Sequence, residues 1–264
     1  MEGMKVGAGA CSGRMRRGMT DDARSGTAGV KRTVYCEDAL AWLDARPVLE
    51  GCSVIASMPD VSEFPSLTVA QWKDWFVGAA ARVLSRVPED GVAVFYQSDV
   101  KKDGAWVDKG YLVSKAAEAA GCETLWHKVV CRRTPGTVTF GRPAYSHLLC
   151  FSRGLKADAG KSTADVLPEA GEVTWTRGMG LSACLVACRF ILEQTRTRTV
   201  VDPFCGHGTA LAVANALGLD AVGVELSRKR ARRARNLQAT WNGSKLVLSG
   251  TGGGEDRPDA PDED

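Results

Sequence analysis

Three observations predict an α/β fold built on a mostly parallel sheet. Short apolar runs of β type alternate with segments of helical spacing from residue 33 to residue 238. Near the C-terminus a strand runs into a Gly-rich turn and a helix, and a second strand ends in an acid, the layout of a ligand-binding βαβ unit. Two longer β-type runs are joined only by a loop containing Gly and Pro, so they pair antiparallel, because parallel neighbours need a crossover.

In order, Thr33–Cys36 reads as a short strand and Ser53–Ser57 as a buried one. Val69–Arg86 is a helix, because Trp72, Phe76, Ala79, Ala80, Val83 and Leu84 recur on one face. Gly91–Gln97 is a strand and Lys109–Ala120 a helix. Glu123–Arg132 and Ser146–Ser152 form the antiparallel pair. Leu181–Gln194 is a helix, and Cys184 and Cys188 within it are core thiols. Then follow strand Thr199–Asp202, helix Thr209–Leu217, strand Ala221–Glu225 and helix Ser227–Gln238. Crossover helices belong on both faces of such a sheet.

The chain has 264 residues, 44% hydrophobic and 25% charged, which is enough for a sizeable core. No run approaches the roughly 20 apolar residues that span a bilayer, and no secretory pattern opens the chain, so no membrane partner is expected. Residues 1–30 lack an apolar period and are Arg-rich, which predicts a disordered basic arm; residues 251–264 predict a disordered acidic tail. The domain is then 31–250. Net charge is only +3, compatible with nucleic acid without demanding it. Nine Cys without a CxxC pair point to free thiols in a reducing intracellular compartment, cytoplasm or nucleus. The basic arm leaves organelle targeting open. Three His are too few for a His-rich metal site, and no metal is expected.

The most informative stretch is Asp202-Pro-Phe204-Cys205-Gly206-His-Gly208-Thr209, followed by a helix and then Val222-Gly-Val-Glu225. Gly206 and Gly208 allow the backbone to approach a ligand closely. Thr209 opens a helix whose N–H groups favour an anion, and Glu225 at a strand end can accept from a ribose diol. The longer GxGxxG turn of nicotinamide enzymes is absent. The string resembles motif I and the following strand of S-adenosylmethionine-dependent amino-methyltransferases. The resemblance implies a Rossmann-like sheet and S-adenosyl-L-methionine as cofactor. It places Asp202 near the methionine portion, Phe204 near adenine and the Cys205–Gly208 backbone near the carboxylate. Upstream, Asp38 resembles an acid near the adenine and is equally a helix N-cap. Before motif I, the family's Thr-x-Lys-Pro is replaced by Met179-Gly-Leu-Ser182.

In the permuted, β-type branch of that family, which includes N6-adenine and N4-cytosine methylases, a catalytic tetrapeptide precedes the cofactor motif. It reads Asp, Asn or Ser, then Pro-Pro, then an aromatic. Here Ser57-Met58-Pro59-Asp60 stands at the end of a buried strand. Ser57 and Pro59 match; Met58 and Asp60 depart. The resemblance implies that Ser57 and the Met58 carbonyl accept the two N–H bonds of an exocyclic amino group, so that its lone pair turns to the methyl donor. Asp60 cannot stack on a flipped base. Either Phe64 or Trp72 supplies the aromatic, or Asp60 accepts a proton or binds a cationic substrate. Two basic clusters stand nearby in sequence, Arg132–Arg142 and Lys101-Lys102-Asp103 with Trp106.

The expected function is therefore S-adenosylmethionine-dependent methylation of an exocyclic amino nitrogen on a base of DNA or RNA. The alternatives are a methyltransferase acting on a protein or small molecule, and a non-catalytic binding or assembly protein on the same fold. The span Arg153–Glu172 is too short for a reading domain, so a protein partner that supplies recognition also stands as an alternative.

Overall fold

The computed structural model describes residues 29–250. The arm and tail fall almost wholly outside the described residues. The chain order is β1 (Arg32–Tyr35), α1 (Ala39–Asp44), β2 (Cys52–Ala56), α2 (Val69–Arg86), β3 (Ala93–Gln97), β4 (Val100–Lys102), β5 (Ala105–Val107), α3 (Lys109–Ala119), β6 (Glu123–Cys131) and β7 (Tyr145–Ser152). It continues through β8 (Val166–Leu167), α4 (Leu181–Gln194), β9 (Thr199–Asp202), α5 (Thr209–Ala216), β10 (Asp220–Val224), α6 (Arg228–Asn236), β11 (Gln238–Asn242) and β12 (Lys245–Ser249).

Eight strands form one sheet in the order β1-β10-β9-β2-β3-β7-β6-β8. Strands β1, β10, β9, β2 and β3 are parallel neighbours, and β7 pairs antiparallel with both β3 and β6. The fold class is thus the Rossmann-like one expected, mostly parallel with an antiparallel strand pair. Alternate residues of β3 show how the two faces are filled. Val94 and Tyr96 join the core that contains α4 and α5, whereas Ala93 and Phe95 join the core that contains α1, α2 and α3. Sheet residues buried on both sides read as continuous apolar runs rather than alternation.

Three small features are absent from the sequence expectations, the β4–β5 hairpin, the two-residue β8 and the β11–β12 hairpin. The last had a signal. Asn242 pairs with Lys245, which leaves Gly243-Ser244 as the two-residue turn, with Gly243 at φ +61°, a first central position that favours Gly. The expected helix to Gln238 therefore stops at Asn236. Trp72 is fully buried within the α2 core, which corrects its candidacy as a stacking residue: it faces the sheet, not a ligand. Among the described residues no helix is long and apolar enough to cross a membrane, and the described cysteines are free.

Candidate active site

The chain moves from β2 outward to β3, and from β9 outward the other way to β10. The crevice beyond the carboxyl ends of β2 and β9 is thus a switch point, where open α/β sheets bind ligands. The register pairs Val54 with Val201. Three residues beyond these lie Ser57 and Phe204. A cavity of about 390 Å³ opens there, of ligand-binding size. It is lined by Ser57, Met58, Pro59 and Asp60 together with Asp38, Asp202, Phe204, Cys205, Gly206, Thr209 and Glu225. Gly208 supports the wall from behind, against α6.

One half of the cavity is built around the glycine turn. Gly206 and Gly208 hold φ of +52° and +82°, a region that favours Gly. A Cβ on Gly208 would lie 2.8 Å from the Ala234 backbone, so α6 packs against a bare glycine. The Gly206 N–H donates to Glu225 Oε2 at 3.1 Å, while the Ser227 N–H and Arg230 Nε donate to Oε1 at 2.8 and 2.9 Å. Trp175 roofs the turn, 5.3 Å from the His207 ring and 5.5 Å beneath the Arg230 guanidinium. Asp38 caps α1 through the Ala41 N–H at 2.8 Å, as its N-cap expectation has it, and the same residue lines the cavity.

Asp202 is 6% exposed and accepts the Phe204 N–H at 3.0 Å. Burial pushes its carboxyl up to about 7, and the nearby Glu225 charge adds to this. Burial likewise raises the Cys205 thiol well above its ordinary range, so it is an apolar filler rather than a nucleophile.

The other half is built around Asp60. Its side chain caps the short 3₁₀ turn Val61–Glu63, and Glu63 returns a bond to the Asp60 N–H at 3.0 Å. Lys109 Nζ lies 2.7 Å from Asp60 Oδ2, and Arg142 Nη1 3.3 Å from the same oxygen. Burial opposes the Asp60 charge, but Lys109 and Arg142 prevail and hold the carboxyl below its usual range. The cation that meets Asp60 is thus the chain's own. Phe64 and Trp75 pack with ring centroids 4.3 Å apart and both line the cavity. Gln97 also lines it and is 2% exposed, yet its Nε2 has no hydrogen-bond partner among the described residues.

Behind Lys109 runs a second polar chain. The Lys109 N–H donates to Asp99 Oδ1 at 2.8 Å. Asp99 Oδ2 meets Trp106 Nε1 at 3.1 Å and His147 Nε2 at 3.0 Å, and His147 Nδ1 lies 2.9 Å from His127 Nε2. Sequence reasoning missed Gln97, Lys109, Asp99, His147 and Trp175. Gln97 and Asp99 close or follow β3, where α/β sheets place functional side chains, so they carried a positional signal. Lys109, His147 and Trp175 carried none.

No protein-family model and no curated protein matches the chain. Solved structures share its fold. A Thermus thermophilus protein, TTHA0409, described as a DNA modification methylase and complexed with S-adenosyl-L-methionine, superposes with TM-score 0.59 and 18% identity over 77% of this chain and 91% of that one. PvuII DNA methyltransferase, cytosine-N4-specific, gives 0.56 and 17% over 78% and 88%. M1.HpyAVI gives 0.51 and 13% over 77% and 97%.

Proposed function

We infer that the chain is an S-adenosylmethionine-dependent methyltransferase that acts on an exocyclic amino nitrogen of a nucleic-acid base. One observation carries this reading. Ser57–Asp60 and the Asp202–Thr209 turn, about 150 residues apart in sequence, line one cavity at the switch point of the sheet. The similarity in fold to a methylase complexed with S-adenosyl-L-methionine and to a cytosine-N4 methyltransferase supports it.

The residues present fit the cofactor. Asp202 is a buried carboxylate with no cation among its described partners, and a ligand ammonium would supply one. Gly206 holds φ +52°, which favours glycine, and a Cβ there would stand 3.4 Å from the Trp175 ring, in the space that glycine leaves free. Glu225 would hold the ribose hydroxyls, Phe204 and Asp38 the adenine, and the Thr209 helix start the carboxylate. The cofactor supplies an electrophilic methyl group on a sulfonium sulfur.

The chain's own work lies with the acceptor. Ser57 Oγ and the Met58 carbonyl accept the two amino N–H bonds, which frees the nitrogen lone pair from conjugation with the ring. The nitrogen would gain the methyl carbon as that carbon's bond to sulfur breaks with its electron pair left on sulfur, and one amino proton would pass to solvent water. Phe64 and Trp75 supply the aromatic wall that position 60 lacks. Methyl transfer from labelled cofactor to separate DNA, RNA and protein fractions tests the reading. Label in DNA or RNA supports it; label in protein alone, or in none, refutes it.

A further inference from the structure

The loop between β6 and β7 has features that the cofactor and the tetrapeptide leave unexplained. From Arg132 to Arg142 it carries three arginines and no acid. Arg132 and Arg142 line the acceptor half of the cavity. Arg133 is exposed, and neither it nor Arg132 has a side-chain hydrogen bond or ion pair among the described residues. Beyond them Val138 and Phe140 are 77% and 81% exposed. Beside the arginines, the open Phe140 ring offers a free aromatic face on which a flat partner can stack.

The loop is also held in place. The Arg132 and Arg133 N–H groups both donate to the Ala144 carbonyl, at 2.7 and 3.0 Å, and the Thr137 N–H closes a turn on the Thr134 carbonyl at 3.1 Å. The Lys101 N–H donates to the Gly141 carbonyl at 3.0 Å, which ties the loop to the β4–β5 hairpin. There Trp106 is 44% exposed, with Lys101 Nζ 5.4 Å from its ring, and Lys102 is exposed. Asp103 and Asp108 are the exposed acids of that hairpin segment, while Asp99 is buried against His147. The rim of the acceptor cavity thus interleaves cations with open aromatic rings.

We propose that the Arg132–Arg142 loop, with Trp106 beside it, is the surface on which a single-stranded nucleic acid lies. Phosphates meet the arginines and Lys102, and unpaired bases stack on Phe140 and Trp106. This rests on the reading that the acceptor is a base. It adds which form of nucleic acid is taken and how, in a chain with no described segment large enough to form a separate reading domain. A single strand matches the rim because each base offers a free face to an open ring. It matches the cavity because a nucleotide enters with no pair to break. The partnerless Gln97 amide then meets the edge of the base that enters.

The test uses the full chain, labelled mixed-sequence single strands of DNA and of RNA, and the DNA duplex of the same sequence. Binding is followed by anisotropy across a salt series, with cofactor binding measured separately by calorimetry. Single strands should bind at least about tenfold tighter than the duplex, and Phe140→Ala should weaken them about tenfold with little change in salt dependence. Arg133→Ala should lower the salt slope by about 0.7. Both side chains are exposed, so cofactor affinity and the melting temperature should stay as they were. The DNA and RNA arms separate the two sources of the strand. Preference for duplex, no strand binding by the intact chain, or unchanged binding by both variants overturns the proposal, as does equal competition by an acidic polypeptide. Strand binding that depends on Phe140 without any cofactor binding would uphold this surface and refute the methyltransferase reading.

Discussion

The two halves of the cavity are built by different means. The half around the glycine turn, proposed for the cofactor, is made mostly of backbone, from two glycines at positive φ, a helix start and one carboxylate at each of two neighbouring strand ends. The half around Asp60, proposed for the acceptor, is made of side chains delivered from distant places. Asp60 follows β2, Lys109 opens α3, Arg142 precedes β7 and Gln97 ends β3. A backbone-built site needs a fixed local string of residues. A side-chain-built site needs only that the fold bring charges together, and it tolerates exchange of any one group if its partner changes too. The resemblance is accordingly close at the glycine turn and departs at the tetrapeptide.

The comparison is broken most sharply at Lys109. Lys109→Met would leave the Asp60 carboxylate buried without its nearest cation. Stability should fall by about 3–5 kcal/mol, read by chemical denaturation. Lys109→Met combined with Asp60→Leu should recover most of that loss. If the single variant is as stable as the parent, the acceptor half is not organised around this pair. For the same reason Asp60→Tyr alone should destabilise, because it strands Lys109 rather than simply restoring an aromatic.

Ser57→Ala probes the chemistry of that half. It should cut the methyl-transfer rate by roughly 10²-fold while calorimetry gives an unchanged cofactor affinity. A variant that loses cofactor affinity instead would place Ser57 in the other half.

On the cofactor side, Glu225→Ala should weaken cofactor binding by about 1–3 kcal/mol and leave oligonucleotide binding intact. Equal loss of both would erase the division between the halves.

Asp202 gives the effect tied to pH, small at any one pH near neutrality and growing as pH falls. Its carboxyl titrates near 7 in the free protein because burial disfavours the charge. A bound ammonium favours the ionised form, so binding below that pH must expel a proton. Cofactor affinity should therefore rise with pH, about tenfold per unit below 7, and level off above it. Asp202→Asn should bind more weakly at neutral pH and flatten the profile. The free fold carries the opposite sign. Its carboxyl lies above the ordinary value, so stability should decline as pH climbs from about 4 to 7, and Asp202→Asn should remove that decline in thermal melts.

Much of the fold was legible in the sequence. Helices α2 and α4 and strand β9 have the expected boundaries, because long periodic segments and an apolar strand before a glycine turn are strong local signals. The glycine turn and its closing Glu225 were legible because backbone conformation is set by which residues can adopt it. The residues Ser57–Asp60 were visible as a strand end, but not what Asp60 does. Its partners Lys109 and Arg142 stand 49 and 82 positions away, and nothing along the chain couples them. Trp72 shows the same limit from the other side: its identity suited a ligand, while the face of α2 on which it falls buries it. The sequence by itself determined the alternation of strands and helices and the glycine turn, since these follow from periodicity and local backbone preference. The tertiary structure alone decided which charges meet and which aromatics remain open, because those depend on distances across the sheet that no local pattern encodes.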